Sequence, residues 1–468
     1  ILLDHTRSCG ADVRESCAIT EVDNHAKGFT VYDEEGRVHT CEFFVEASGR
    51  QNNLVTESRH TWLSSFKNVA IWTHFTGGKP PQSIEADWNI FHEDDLSAIG
   101  NFAFEDGWVW YIPVPKEVDG EIVQSQSIGV VTNTEVLEVD LKDYKDLDFF
   151  LDRIGDIPLL DELIEEVEPL SADMKAAADY SMITDQFCNY DEDWVLVGDS
   201  AHFVDPLFSS GVNFALRHAC TASALIESKI RDDLTASETR RLWTEYDRGW
   251  QRVARSFSVG ISQWYHAIGR TYPESDYWAA RGNTADFDFR DRSFQKLVDT
   301  ETIIPPDLGV ILAADDSEDV DSGPAREIAE EIKMPWPDPD DRLRLADDTE
   351  IIEGPVLDVG AMKGKYYPWE EPSSDAPAAK FWEAPLEYGP EFHAHWERPF
   401  RGYHARPEGN DDEAVLLKLP DDEKTDCFLD AVHRDKGVTI QEIHDEFGEM
   451  GVQTLLHLYR QNLINVID

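Results

Sequence analysis

The sequence predicts an α/β fold with an inserted β-sheet layer and a mostly helical C-terminal extension. Three observations carry this. A short apolar strand, Val195-Leu196-Val197, runs into Gly198-Asp199, and a helical stretch follows from about 210 to 227. Between residues 60 and 135 apolar residues alternate as a half-buried sheet requires. Helical periodicity then returns after residue 421. A chain of 468 residues, 41% of them apolar, is long enough for more than one core.

Taken in order, residues 1–5 read as a helix end with Gly10 as its C-cap. Strands are expected over 11–23, 29–31 and 41–45, the last two joined by the hairpin turn Asp33-Glu34-Glu35-Gly36. Phe43-Phe44-Val45-Glu46-Ala47-Ser48-Gly49-Arg50 runs a strand into a tight Ser-Gly turn. The inserted layer holds strands at 69–75, 101–104, 107–113 and 127–131. Residues 144–168 form an amphipathic helical stretch, and 236–269 one or two helices rich in aromatics, among them Trp243, Tyr246, Trp250, Phe257, Trp264 and Tyr265. Past about 312 the chain turns acidic and Pro-bearing, with linker-like stretches at 335–340 and 368–378. Three short helices and a terminal strand close it as a small winged-helix-like module over 421–468, too acidic for DNA and better suited to a structural or protein-contact role.

Charge limits the partners. With 94 acidic and 41 basic residues the formal net charge is -53, which excludes nucleic acid and anionic membrane surfaces. The acids are spread along the whole chain, and Arg outnumbers Lys 25 to 16. That pattern points to a halophilic protein, whose self-repulsion high salt screens. The six Cys (9, 17, 41, 188, 220, 427) show neither CxxC pairing nor zinc spacing. Buried, inert thiols in a reducing, cytoplasmic compartment are therefore expected, with no metal site. No apolar run of about 18 residues marks a membrane span and no signal peptide opens the chain. Ile1 in place of Met suggests a missing N-terminus.

The strongest chemical signal is Gly198-Asp199-Ser200-Ala201, followed by Asp205-Pro206 and Ser209-Ser210-Gly211-Val212-Asn213. The strand ends at a Gly, where a cofactor can approach the backbone closely. Asp199 can accept hydrogen bonds from ribityl hydroxyls, and small residues at 200 and 201 leave room for a pyrophosphate. The helix that begins near Gly211 offers free N–H groups and the positive end of its dipole. On the inserted layer, Trp108-Val109-Trp110-Tyr111-Ile112-Pro113 places 108, 110 and 112 on one strand face. Two indoles there are either core or a wall between a flavin and its substrate.

These motifs resemble the flavin-dependent halogenases of the FAD monooxygenase superfamily, specifically the tryptophan-halogenase-like group acting on phenol or pyrrole rings. The match is to W-x-W-x-I-P, to D-P-x-F-S-S-G-V and to Asp179-Tyr180-Ser181, with Glu46 standing where that family's D-A-S-G-R segment carries Asp. The resemblance implies an FAD-binding Rossmann-like fold, N-terminally truncated. No G-x-G-x-x-G occurs, and the family's catalytic Lys would precede Ile1; Lys67 and Lys79 stand in the wrong motif order. Implied cofactor-binding residues are Ile19, Ser48, Gly49, Gly198, Asp199, Pro206, Gly211, Val212 and Asn213, with the amides of Ser210 and Gly211 as halide site. Trp108, Trp110 and Pro113 would form the active-site wall.

The implied cofactors are FAD as FADH2 and chloride or bromide. The implied partners are a separate flavin reductase and a small aromatic substrate, free or tethered to a carrier protein. Residues 1–59 and 191–270 then belong to the FAD-binding domain, 60–190 to a β-rich substrate side, and 271–420 to an irregular acidic region. Residues 150–180 and 255–310 would contribute to the pocket. A geranylgeranyl-reductase-like or hydroxylase-like oxidoreductase and a non-catalytic relative are the rival readings, since the reductases carry a related Y-x-W-x-F-P strand.

Overall fold

The computed structural model describes residues 2–26, 28–50, 54–55, 59–60, 68–84, 99–118, 120–133, 143, 145–171, 173–178, 181–230, 234–279, 337–338, 340–356, 400–407, 415–420, 423–460 and 462–467. Lys67, Asp179, Tyr180, the stretch 280–310 and the expected linker at 368–378 lie outside the described residues.

Helix α1 (Leu2–Ser8) stops before Gly10, whose φ of +94° suits a residue without Cβ. Residues 11–18 are not a strand, as the sequence suggests; the first one, β1 (Ile19–His25), starts at Ile19. It pairs antiparallel with β2 (Gly28–Asp33), which pairs with β3 (Val38–Cys41). Asp33 closes the β2–β3 turn by accepting from Glu35 N at 3.0 Å and Arg37 N at 2.9 Å. Strand β4 (Phe44–Glu46) follows.

The inserted layer is antiparallel. Strands β5 (Val69–Thr76), β6 (Gly100–Phe104), β7 (Gly107–Val118) and β8 (Glu121–Thr132) stand in the order β5-β8-β7-β6, and segments 168–169 and 175–178 both pair with β5. Val109, Tyr111, Ile128 and Val130 bury one face against helices α2 (Leu147–Gly155) and α3 (Leu160–Ile164), through Phe150, Ile154, Leu160 and Leu163. Trp108 belongs to the opposite face and joins a different core. The 2.0 period of a strand thus divides this motif between two environments.

Strand β9 (Trp194–Leu196) lies parallel to β4, with Leu196 opposite Glu46. It leads through residues 198–210 to helix α4 (Gly211–Ile230), and then to one continuous helix, α5 (Ala236–Gly269). Thr235 and Glu238 cap α5 reciprocally: Glu238 N donates to Thr235 Oγ1 at 3.2 Å and Thr235 N to Glu238 Oε2 at 2.8 Å. Its buried Trp243, Tyr246, Trp250, Ala254, Phe257, Ile261 and Tyr265 recur at three or four residues, so a single stripe faces the core.

The sequence marks 271–420 as irregular, whereas its described part holds four strands. They are β10 (Arg342–Leu345), β11 (Thr349–Val356), β12 (Phe400–Pro407) and β13 (Val415–Pro420). Alternation in Arg342-Leu343-Arg344-Leu345 buries both leucines, a signal that the surrounding acidic composition masks. Strand β10 pairs with the terminal β14 (Ile464–Ile467) under helices α6 (Glu423–Val432) and α7 (Ile440–Arg460), around Leu343, Phe428, Ile443, Leu455 and Ile464. Gly448, at φ 71°, breaks α7 in two.

The thiols depart from the expectation of burial. Cys188 is buried, its thiol donating to Trp243 O at 3.2 Å, but Cys9, Cys220 and Cys427 are exposed. Cys220 falls on the outer side of α4 and α1 buries nothing, so neither position has a core to enter. Among the described residues no helix is long and apolar enough to cross a membrane.

Candidate functional site

Strands β4 and β9 run parallel and end side by side, so the turns that leave them open on one edge. In an open α/β sheet that carboxyl edge is where ligands bind. Two hydrogen bonds tie the ends together: Val197 N donates to Glu46 O at 2.9 Å, and Ser200 Oγ donates to the same oxygen at 2.6 Å. The Glu46 carboxylate is buried and accepts from Ser48 Oγ at 2.8 Å and Leu54 N at 2.9 Å. The longer acid in place of Asp therefore organises the Ser48-Gly49 turn from within, and Gly49 there has φ +72°.

Gly198 takes φ +64°, and a Cβ on it would meet Ala215 Cβ at 3.0 Å, so the turn lies directly on α4. Its N–H donates to His218 Nδ1 at 3.1 Å. Asp199 is half-buried; burial pushes its carboxyl above the ordinary carboxylate range, and the Arg50 charge opposes that rise. Arg50 also lies 5.9 Å from the Phe203 ring centroid. A Cβ on Gly211 would sit 3.1 Å from Phe203 Cε2 and 3.8 Å from Asp199 Oδ1. The Gly49-Arg50 turn, the Gly198-Asp199 turn and the start of α4 are thus neighbours.

The approach to α4 is built by caps. Asp205 accepts from Leu207 N at 2.9 Å, and Pro206 opens a single 3-10 turn that ends at Ser209 in the left-handed region, φ 52°. The first helical bond of α4 runs from Phe214 N to Ser210 O at 3.0 Å, so the amides of 211–213 precede it at the helix start. Val212 is 72% exposed, and Asn213 Oδ1 is buried without a hydrogen-bond partner among the described residues. Such an orphan acceptor beside free first-turn amides, a positive-φ Gly and a half-buried Asp fits the polar edge of a dinucleotide cofactor.

The inserted layer is tied to the turn that leads into α4. Trp108 and Trp110 stand 6.0 Å apart between ring centroids, and Trp110 is 6.1 Å from Trp72. Trp110 Nε1 donates to Ser127 Oγ at 3.1 Å. Trp108 Nε1 donates to Tyr265 Oη at 2.7 Å, and that phenol donates to Asp205. Asn101 Nδ2 donates to Leu207 O at 3.0 Å.

Two expected site residues are not brought here. Pro113 follows the parity of Val109 and Tyr111 and so falls on the face away from the indoles, because successive strand residues point to opposite sides. Ile19 sits on the separate β1–β2–β3 sheet, opposite Asp33. Lys79 pairs with Glu165 at 2.6 Å on the surface. Sequence reasoning missed Asn101, Asp205 as a linker, His218 and the role of Tyr265. Tyr265 stands 157 residues from its Trp108 partner, and no spacing rule links them. Cys17, Asp33 and His39 each bring one ligand-type atom to within 4.8 Å of the others. Arg37 Nε already lies 2.6 Å from Asp33 Oδ2 and its Nη2 3.6 Å from Cys17 Sγ, so the guanidinium is the cation of that cluster.

Comparisons with known proteins place the chain in a family. A family model described as tryptophan halogenase matches residues 1–287. The chain is 25% identical over 242 residues to a tryptophan 2-halogenase of Chondromyces crocatus, covering 51% of this chain and 42% of that protein. It is 28% identical over 284 residues to a 1H-pyrrole-2-carbonyl peptidyl-carrier-protein chlorinase of Pseudomonas fluorescens, covering 58% and 56%. The crystal structure of CmlS, a flavin-dependent halogenase, shares the fold at a TM-score of 0.60 and 18% identity, over 100% of this chain and 76% of that one. The chain spans about half the length of the curated relatives it matches. On the match over residues 1–287, the chain belongs to the tryptophan halogenase family.

Proposed function

We propose that this chain carries out FAD-dependent halogenation of an electron-rich aromatic ring, phenol-like or pyrrole-like. The observation that supports the reading is the Gly198-Asp199 turn lying beside the start of α4, with Trp108 joined through Tyr265 to Asp205 on the turn that leads into that helix. When bound and reduced, FAD supplies with O2 the two-electron oxidation that makes halide electrophilic. Overall, the aromatic C–H, halide, FADH2, O2 and one proton give the aromatic C–halogen bond, FAD and two waters.

The residues have distinct tasks in this reading. Gly198 and Gly49 let the cofactor approach the backbone, and Asp199 accepts from its hydroxyls. Ser48, Pro206, Val212 and Asn213 line the same edge, with Asn213 Oδ1 as an acceptor. The amides of Ser210 and Gly211 hold chloride or bromide, since a helix start favours an anion. Trp108 and Trp110 bar the organic substrate from the flavin side and exclude water. A separate flavin reductase supplies FADH2, and the substrate arrives free or on a carrier protein. The similarity to a chlorinase named for a carrier-bound pyrrole supports the latter route.

The test is incubation of the chain with a flavin reductase, NADH, FAD, bromide, O2 and a phenol trap at high salt. Brominated phenol is the expected product. Hydrogen peroxide release without brominated phenol would overturn the reading.

A further inference from the structure

We propose that Tyr265 is a positioning residue that holds the indole wall and the turn leading into α4 at a set offset, an inference that rests on the halogenase reading for its functional meaning. Its phenol oxygen accepts from Trp108 Nε1 at 2.7 Å and from Asn68 Nδ2 at 3.3 Å. Its proton goes to the Asp205 carboxylate, 3.2 Å to Oδ2 and 3.3 Å to Oδ1. A phenol offers one proton and two lone pairs, so it can donate to Asp205 while accepting from both Trp108 and Asn68.

Each partner sits on a different part of the fold. Trp108 is on β7, Asn68 immediately precedes β5, and Asp205 heads the turn that continues through Ser209 and Ser210 to Gly211. Trp108, Asn68, Asp205 and Tyr265 are each no more than 3% exposed. Away from water a hydrogen bond to a carboxylate is strong and its loss is not made good by solvent. Asp205 passes the constraint on through Leu207 N, and β6 holds Leu207 O from the other side through Asn101. Tyr265 therefore acts through Asp205 and Trp108.

Hydrogen–deuterium exchange on the full chain tests this. Tyr265→Phe keeps the ring's packing and removes the hydrogen bonds to Trp108, Asn68 and Asp205. Exchange over 206–213 and over β7 should then rise about tenfold, as for a local opening that loses one buried charged hydrogen bond, while 423–432 stays unchanged. Unchanged exchange over 206–213 would overturn the proposal. The double variant Trp108→Phe/Tyr265→Phe removes the stranded indole N–H together with the phenol. Its thermal midpoint should recover toward the parent while 206–213 remain fast. Recovery of both would show that Tyr265 only satisfies a core donor, and the proposal fails. In the parent, FAD with bromide should slow exchange over 206–213, and Tyr265→Phe should need about tenfold more bromide for the same effect. No slowing in the parent counts against the halogenase reading alone, because the ligand-free comparison measures the coupling separately.

Discussion

At the scale of single residues, Gly129 shows how tightly the indole wall is set. It pairs with Trp72 on β5 and with Trp110 on β7, and the Trp110 ring lies across it. A Cβ there would stand 2.2 Å from Trp110 Cζ2 and 2.5 Å from Cε2. Gly129→Ala must push the indole off the sheet, and overpacking of this kind costs about 1–3 kcal/mol. Urea unfolding should register that loss, together with an altered tryptophan emission. An unchanged midpoint would mean that Trp110 has free room. Asp199 is the converse case, a carboxyl that the fold holds half out of water, with burial raising its titration and the Arg50 charge opposing that rise.

At the scale of elements, α4 packs on the Gly198 turn through two buried histidines. His202 stacks on Phe187, with centroids 5.6 Å apart, and its ring is 5.2 Å from His218. Burial pushes His202 down to about 3 and His218 well below the ordinary histidine range. Both stay neutral when folded. In the unfolded chain they take up protons below their ordinary value of about 6.5, so the unfolded state binds more protons and stability falls as pH drops. Each should remove about 1.4 kcal/mol per pH unit from about 6.5 downward, for His202 as far as pH 3. His202→Phe, which keeps an aromatic against Phe187, should make the fall in urea stability between pH 7 and pH 5 shallower by one such share. Identical slopes in parent and variant would refute the assignment.

At the scale of the whole molecule, a formal net charge of -53 makes stability sensitive to salt. Many of the ion pairs are exposed, such as Arg240 with Asp191 at 2.6 Å, and contribute little individually. The range of repulsion among carboxylates shrinks from about 10 Å at 0.1 M salt to about 3 Å at 1 M. We expect the thermal midpoint to climb steadily from 0.1 M to 2 M KCl. A midpoint that stays flat or drops over that range would remove the halophilic reading.

Much of the fold was legible because local rules suffice for it. Period-two alternation marked the strands of the inserted layer, period-3.6 aromatics marked α5, and Asp33-Glu34-Glu35-Gly36 marked its hairpin. The strand end, turn and helix start of the Gly198-to-Asn213 segment were likewise readable, since a strand-ending Gly, an Asp and a helix start follow one another along the chain. The strands after residue 340 were harder, because acidic composition hides a short alternation such as Arg342 to Leu345. Pro113 lies next to the indole motif in sequence and on the other side of the sheet in space. Tertiary structure alone decided the join between Trp108, Tyr265 and Asp205. Hydrogen bonds between groups 60 and 157 residues apart depend on how layers pack, and no local pattern of residues encodes that.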